Sequence, residues 1–205
     1  MSSKNMQTRS KILQATLELL EAGEGGEIRM GDIAKRAGIS RQALYLHFAT
    51  RAELLVETTF YLDELSESDK RLEPSRKAKT GIERLEAFVD AWGGYIPAVY
   101  GPGRAMMAMM ETDDEAAKAW NQRMQDVREG CEAAIKALKK DKTLSPAYSI
   151  NDATDLLWAM LSVRNWEQLI HQSGWTQKKY IKTMKILAYN TFVAAGAEIS
   201  KGISK

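Results

Sequence analysis

Apolar residues recur at helical spacing along nearly the whole chain, and no segment shows the alternating pattern of a β-strand. Ile12, Leu19 and Leu20 mark one face of a helix predicted over residues 7–22, and the glycine-rich residues 23–26 are expected to end it. The helical spacing of apolar residues continues along the chain and predicts an all-α fold of about nine helices.

Two short helices are predicted on either side of Gly38. Ile33 and Ala34 lie on the apolar face of the first, and Leu44 anchors the second, which follows Ser40. Glycine adopts positive φ at little steric cost, so the chain can reverse direction within three or four residues. This spacing predicts a helix-turn-helix unit, whose second helix enters the DNA major groove by its N-terminal end.

A longer helix is predicted to follow, because Thr50 and Glu53 form the capping-box pattern of a hydroxyl followed three residues later by glutamate. It is expected to run toward Leu72, and the proline and basic residues of segment 73–81 indicate a connection. A further helix is predicted from about residue 82, with a break around Gly93, Gly94 and Pro97, and another begins after Gly101, Pro102 and Gly103. Three more helices are predicted over about 113–141, 151–172 and 177–199. We predict a helix-turn-helix DNA-binding domain over 1–55 and a larger helical domain over 56–205.

Composition narrows the class of protein. The 205 residues include one cysteine, Cys131, which excludes an internal disulfide framework and a multi-cysteine metal site. There is no run of 18 apolar residues and no apolar leader, so we expect a cytoplasmic protein with no membrane partner. The net charge is +2, but residues 28–51 carry five basic residues against one acid, Asp32, and hence +4. This basic segment indicates a surface that faces a polyanion; the alternative is an ordinary solvated face.

The residues after the predicted turn have the chemistry of base recognition. Ser40 is expected to cap the second helix, since its hydroxyl can accept an unpaired backbone N–H group. Arg41, Gln42 and Ala43 then occupy the first turn, where side chains reach base edges. Arginine pairs well with guanine and glutamine with adenine.

The segment IRMGDIAKRAGISRQALYLHFATRAELL, residues 28–55, resembles the DNA-binding segment of the TetR family of transcriptional regulators. The marks of the resemblance are Asp-Ile-Ala at 32–34, Ala-Gly-Ile-Ser at 37–40, Leu-Tyr-Leu-His-Phe at 44–48 and Glu-Leu-Leu at 53–55. They cover roughly the first quarter of the chain and are more specific than a bare helix-turn-helix pattern.

The resemblance implies that Tyr45, His47, Thr50 and Arg51 contact DNA phosphates, although Tyr45 and His47 are also open to a structural role in the core. Arg29 stands where the family usually has a capping Thr or Ser; arginine cannot cap in that way, but it can reach a phosphate directly. The predicted DNA-binding residues are Arg29, Ser40, Arg41, Gln42, Ala43, Tyr45, His47, Thr50 and Arg51.

Two helices of the larger half are predicted to form a homodimer interface, as the resemblance implies. Residues 156–161 are apolar on all sides of their helix, which indicates contacts on opposite faces. The last helix offers small residues at helical spacing, which allow close approach of another helix. The predicted interface residues are Leu156, Met160, Val163, Ala188, Thr191, Phe192 and Ala195. The alternative is burial in the core of a monomer.

The segment between Trp92 and Trp175 is rich in tryptophan and methionine, which suit a pocket for an apolar or aromatic small molecule. The predicted pocket residues are Trp92, Tyr95, Met106, Met109, Met110, Trp120, Met124, Trp158 and Trp166. Ordinary core packing explains any one of them equally well, and the resemblance to the TetR family is what favours a pocket.

The resemblance implies a dimeric repressor that a small apolar or aromatic effector releases from a palindromic operator. A first alternative is a DNA-bound dimeric regulator without a small ligand, whose larger domain binds a protein partner. A second is an enzyme, but the chain has only two histidines, His47 and His171, and lacks a phosphate-binding glycine loop, an HExxH pair and a nucleophile elbow. No cofactor or metal is predicted.

Overall fold

The computed structural model describes residues 3–22 and 28–196, and the regular elements of these residues are all helical. One isolated antiparallel bridge joins Leu144 and Val193. The helices are α1 (Ser3–Ala22), α2 (Met30–Ala37), α3 (Arg41–His47), α4 (Arg51–Leu65), α5 (Ser68–Arg76), α6 (Gly81–Met109), α7 (Asp114–Lys140), α8 (Ile150–Met160), α9 (Val163–Glu167) and α10 (Gln177–Phe192), with a π-helical turn at Gln168–Gln172. The predicted all-α fold is therefore confirmed.

The chain divides into two compact units. The first unit contains Met1–Ser66 and Pro97–Gln125, and the second contains Glu67–Ile96 and Asp126–Lys205. The predicted DNA-binding domain, residues 1–55, lies within the first unit. In the part of the chain that the structure describes, no helix is both long and apolar enough to span a bilayer, and no three metal-ligating side chains cluster together.

The first four helices share one apolar core within the first unit. α1 packs on α2 and α4, and α2 packs on α3. The buried residues of this core are Ile12, Leu13, Met30, Ile33, Ala34, Leu44, Phe48 and Leu54. Because α3 buries Leu44 in this core, its opposite face is left exposed to solvent.

The predictions for the segment after α3 were partly wrong. α4 ends at Leu65 rather than near Leu72, and α5 (Ser68–Arg76) extends into segment 73–81, where a connection was predicted; only residues 77–80 of that segment lie outside helices. Glu67 between them has φ of 50°, a left-handed conformation that a continuing helix cannot contain. Pro74 lies inside α5.

The predicted break near residue 93 was also wrong, because α6 continues as one helix through both glycine sites and both prolines. Two of its glycines, Gly93 and Gly103, serve close packing. A Cβ atom at Gly93 would lie 3.3 Å from Cγ1 of Ile181, and one at Gly103 would lie 2.9 Å from Cζ3 of Trp120. Sequence periodicity cannot distinguish a glycine that breaks a helix from one that accepts a neighbouring side chain.

The helix predicted over 151–172 is interrupted after Met160. Oγ of Ser162 accepts the N–H of Asn165 at 3.2 Å and starts α9, which continues into the π-helical turn.

The last helix ends earlier than predicted, at Phe192. There the chain leaves the helix and pairs with residues 143–145, with Ser145 N–H donating to the Phe192 carbonyl and Ala194 N–H to that of Thr143, both at 2.8 Å. Residues 197–199 of that prediction, and the helix end predicted at 23–26, lie outside the described residues.

Candidate nucleic-acid interface

The turn between α2 and α3 is closed by two backbone hydrogen bonds around Gly38. Gly38 has φ of 69°, its N–H donates to the Lys35 carbonyl at 3.2 Å, and the N–H of Ile39 donates to the Ala34 carbonyl at 3.0 Å. These are the two bonds of a Schellman motif, in which glycine is strongly preferred at the left-handed position. The predicted role of Gly38 is confirmed.

Ser40 begins α3 as predicted. Its Oγ accepts the N–H of Ala43 at 3.1 Å, while its own backbone is extended. Leu44 is fully buried and fixes the orientation of α3, whereas Arg41 and Gln42 are exposed in its first turn. The structure thus places the two predicted base-reading side chains on the solvent face of the helix.

Tyr45 lies on the same exposed face as Arg41. Its side chain is 42% exposed, and its hydroxyl lies 3.5 Å from the Arg41 guanidinium, whose carbon lies 5.7 Å from the ring centroid. Phe48 is fully buried, whereas Tyr45 is exposed, although the sequence had left a core role open for it. The contact between Tyr45 and Arg41 restricts the arginine to the open face of α3.

Leu46 is a surface residue that the sequence interpretation did not single out. It is 84% exposed, one helical turn beyond Gln42. A large apolar side chain on a recognition helix can contact the methyl group of thymine. Its position could have indicated this exposure, because a residue two places after the buried Leu44 lies on the opposite side of the helix.

Arg9 of α1 was also missed, although it holds the end of α3. Its guanidinium carbon lies 4.3 Å from the Phe48 ring centroid, and the group donates to the His47 carbonyl at 3.2 Å and to the Glu57 carboxylate at 2.7 Å. His47 itself is half-buried. These partners are 38 to 48 residues away from Arg9 in sequence, so no local pattern indicates the contact.

The predicted capping box at the start of α4 is present in a modified form. Thr50 Oγ1 accepts the N–H of Glu53 at 3.1 Å, and the Glu53 carboxylate accepts the N–H of Ala49 at 2.9 Å. In the usual box the carboxylate returns to the capping residue itself. Thr50 remains exposed.

Arg51 occupies an unexpected environment. Its Nε donates to the Ile28 carbonyl at 2.6 Å, its guanidinium is ion-paired with Asp113, and it lies 3.7 Å from Sδ of Met109. The side chain is only 10% exposed. In this conformation the group predicted to bind a phosphate is fully engaged by protein atoms, so contact with DNA requires Arg51 to leave Asp113.

Asp113 is held by backbone as well as by Arg51. Its Oδ1 accepts the N–H groups of Glu115 and Ala116, each at 3.1 Å, and so caps α7. Burial alone would raise the pKa of Asp113, but the hydrogen bonds from Arg51 and from these backbone groups outweigh it and hold the pKa below its usual value.

The basic segment is partly neutralised within the first unit. Arg36 pairs with Glu18 at 2.6 Å, and Arg51 pairs with Asp113. Arg29, Lys35 and Arg41 are exposed. Arg29 makes no side-chain capping bond to α2, as its residue type predicted.

Three of the predicted dimer residues lie in the interior of the second unit. Val163, Ala188 and Phe192 are each at most 2% exposed, because α10 turns Tyr180, Met184, Ala188 and Phe192 inward. The face of α8 and α10 that remains available carries Leu156, Ile186 and Leu187, each 42–45% exposed. Met160 and Thr191 are half-buried, and Ala195 lies in a turn beyond α10. Ile186 and Leu187, which the prediction did not name, are the exposed apolar side chains of α10, whereas the small residue Ala188 faces the core.

The predicted pocket residues are divided between the two units. The first unit buries Met106, Met109 and Trp120 and leaves Met110 and Met124 partly exposed. The second unit buries Trp92, Tyr95 and Trp166 and leaves Trp158 partly exposed. The Trp92 indole N–H donates to the Leu161 carbonyl, and that of Trp166 donates to the Gln177 amide oxygen, both at 2.8 Å. The assignment of these residues to a pocket stays a prediction.

Comparison with known proteins agrees with the geometry of the first unit. Residues 12–58 match the family model described as bacterial regulatory proteins, tetR family. Among curated proteins, the nucleoid occlusion factor SlmA of Marinomonas sp. is 36% identical over 64 residues, which span 31% of this chain and 32% of that protein. SlmA of Aliivibrio fischeri strain MJ11 is 35% identical over 80 residues, or 38% of this chain and 41% of that protein. The matches thus span less than half the length of these relatives.

Solved structures resemble the fold along most of the chain. NalD, the secondary repressor of the MexAB-OprM multidrug efflux pump in Pseudomonas aeruginosa, superposes with a TM-score of 0.67 at 19% identity and covers 95% of this chain and 100% of its own. A transcriptional regulator from Saccharomonospora viridis in complex with choline gives a TM-score of 0.71 at 15% identity and covers 92% and 98%. At these identities the likeness establishes the fold alone.

Proposed function

Since the chain belongs to the TetR family of bacterial DNA-binding regulators, we propose that it acts as a homodimer that represses transcription from a two-fold symmetric operator. The observation that carries the proposal is the exposed face of α3, where Arg41, Gln42 and Tyr45 follow the Ser40 cap and the Gly38 turn. Arg41 reads guanine, Gln42 reads adenine, and Leu46 contacts the methyl group of a neighbouring thymine.

A single α3 contacts only a few base pairs, so selective binding needs two copies about 34–36 Å apart on the DNA. The exposed apolar side chains Leu156, Ile186 and Leu187 of α8 and α10 support a helical dimer face in the second unit. Leucine and isoleucine side chains that are about 40% open to water gain free energy when a second copy covers them.

We propose further that a small apolar or aromatic effector releases the operator. The effector has to bind more tightly to a form of the dimer whose α3 helices are wrongly spaced for DNA. Its proposed contacts are the methionine and tryptophan side chains of the first unit, Met106, Met109, Met110, Trp120 and Met124, which together offer a large apolar area. Tryptophan emission measured against a compound panel tests this step, and a compound that alters emission but leaves operator affinity unchanged at fixed salt contradicts it.

The central experiment is selection of bound duplexes from a random-sequence pool. We expect enrichment of a palindrome whose half-sites are one helical turn apart. Enrichment of an asymmetric single half-site contradicts the dimer, and recovery of the pool without a motif contradicts sequence recognition. Salt dependence is measured alongside, because phosphate contacts alone give affinity without selectivity.

A second candidate is a DNA-bound regulator whose larger half serves a protein partner instead of a small ligand. The observation that favours it is the name of the curated relatives, nucleoid occlusion factors, although they match only the N-terminal part of the chain. Under this candidate the compound panel leaves tryptophan emission unchanged while the palindrome is still selected.

The family and fold point to regulators rather than enzymes. We also propose that the protein acts in the cytoplasm, where the DNA that it binds is located.

A further inference from the structure

We propose that the second unit carries a binding site for a small, multiply phosphorylated molecule, in a cleft between the start of α6 and the end of α7. The site uses none of the residues assigned above to DNA binding, to the dimer or to the effector pocket. It therefore adds a ligand to the proposed function and does not depend on it.

Basic residues from two segments meet at this cleft. Residues 76–84 carry four basic residues and one acidic residue, and residues 136–142 carry the same numbers. Arg76 and Lys77 pair with Asp69 and Glu73, so the cations that face the cleft come from the remaining basic residues. In sequence the two segments are more than 50 residues apart, and the fold brings them to one cleft.

The cleft has a volume of about 370 Å³, and Lys79, Arg84, Lys136 and Lys140 line it. Lys136 pairs with Glu132 at 2.9 Å. The side chains of Lys79, Arg84 and Lys140 form no ion pair or hydrogen bond with any residue that the structure describes. Three unbalanced cations that face one concave surface favour an anion with several charges.

The carboxylates near the cleft do not neutralise these cations, because they hold the backbone at the start of α6. Asp141, the one acidic residue among those that line the cleft, accepts the N–H of Gly81. Glu83 accepts the N–H groups of Lys79 and Thr80 at 3.0 and 3.2 Å. Since these N–H groups already have partners, recognition of an anion rests on the side-chain cations.

The two walls of the cleft are held close together by Gly81. A Cβ atom at this position would lie 2.5 Å from the backbone nitrogen of Leu138, so only glycine allows the start of α6 to lie this close to α7. Both walls are therefore fixed before a ligand arrives, and binding requires little ordering of the backbone.

The shape and lining select the class of ligand. Three alanines contribute apolar surface beside the cations, which suits a molecule with a phosphate chain and a less polar body, such as a nucleoside triphosphate. The phosphates of a DNA duplex lie on a convex surface that cannot enter a cleft of about 370 Å³. Arginine and lysine supply the hydrogen bonds that phosphate oxygens accept.

Isothermal titration of the full-length protein at low salt tests the site, with inorganic tripolyphosphate, ATP and adenosine as probes. We expect saturable binding of tripolyphosphate or ATP and none of adenosine. The double variant Lys79→Gln, Arg84→Gln is expected to weaken binding about tenfold or more, since it removes two charge-assisted contacts. Lys79 is exposed and Arg84 half-buried, and neither side chain has a described partner, so the fold is expected to be retained.

The matched control is Lys178→Gln, Lys182→Gln, which removes the same charge from exposed positions of α10 in the same unit. It is expected to change the affinity less than twofold. Tighter binding of ATP than of tripolyphosphate identifies a nucleotide as the ligand, and equal binding identifies the phosphate chain alone; both support the site. Equal losses in the two double variants, an absence of saturable binding, or binding of duplex DNA only would overturn it.

Discussion

The guanidinium group of Arg51, the first residue of α4, is ion-paired with the carboxylate of Asp113, the cap of α7, and the two side chains are 10% and 12% exposed. Arg51 also donates to the carbonyl of Ile28, just before α2. One side chain thus joins the entry of the helix-turn-helix unit, the start of α4 and the start of α7 within the first unit. The side chain that the sequence predicts to contact a phosphate therefore also has structural partners in the folded chain.

Asp113→Asn is expected to lower the free energy of unfolding at pH 7 by about 1–3 kcal/mol, because it leaves Arg51 with only the more distant carboxylate of Glu115, at 3.9 Å. The pKa of Asp113 is lowered in the folded protein, so its contribution is present above the unfolded pKa of about 3.9 and is lost as the pH falls through the folded value. Urea unfolding between pH 7 and pH 3 should therefore show a weaker acid destabilisation in the variant. Asp114→Asn, at an exposed neighbouring position, is the control and should follow the wild-type curve.

Arg51→Ala separates a structural role from a phosphate contact. If Arg51 binds DNA, as the resemblance to the TetR family implies, the variant weakens binding to all duplexes alike and reduces the salt slope by about one. If Arg51 serves Asp113 alone, the variant loses stability and the salt slope measured by fluorescence anisotropy is unchanged. Arg51→Lys keeps the charge and distinguishes loss of charge from loss of the several separate contacts that the guanidinium makes.

Arg41→Ala is expected to cost about 1–3 kcal/mol of operator binding and to relax base preference at one position in each half-site. The matched variant is Tyr45→Phe, which removes a hydroxyl from the same face of α3 and should weaken all sequences to a similar, smaller extent. Repeating the duplex selection with both proteins provides the measurement. An unchanged motif for Arg41→Ala would show that Arg41 contacts phosphate and not base.

Substitution of two glycines in the helix-turn-helix unit by alanine is expected to change the stability in opposite directions. Gly38→Ala places a Cβ on a residue with φ of 69° and is expected to destabilise the protein by about 1–2 kcal/mol. Gly31→Ala lies within α2 with no atom within 4 Å of the new Cβ, and is expected to stabilise by up to about 1 kcal/mol through helix propensity. Thermal unfolding of both variants tests this, and a loss of stability in Gly31→Ala would contradict the expected gain in helix propensity.

Leu187→Glu is expected to convert the proposed dimer to a monomer, because it introduces a charge into the exposed apolar face formed with Leu156 and Ile186. Sedimentation equilibrium gives the association state. Leu65→Glu is the control, since Leu65 is also exposed, at 54%, but lies on α4 in the first unit. A dimer of undiminished affinity in Leu187→Glu would place the interface on another surface.

The helix-turn-helix unit was readable from sequence because each of its signals is local. The Gly38 turn, the Ser40 cap and the buried Leu44 depend on conformational preferences and hydrogen bonds within a few residues, and all three are confirmed. The all-α fold likewise follows from periodicity, which repeats within each helix.

The features that were missed depend on residues far apart in the chain. A glycine in α6 ends a helix or receives a side chain according to what packs beside it, and Gly103 receives Trp120. Phe192 turns inward because other helices cover it, although an isolated α10 offers several apolar faces.

Local preference therefore specified the turn at Gly38 and the capped, exposed tip of α3. Packing between distant segments specified the partner of Arg51, the outward face of α10 and the meeting of two basic segments at one cleft. The physical reason is the range of the interactions, since backbone conformation is governed by immediate neighbours, whereas burial and charge pairing are set by residues that meet only when the chain has folded.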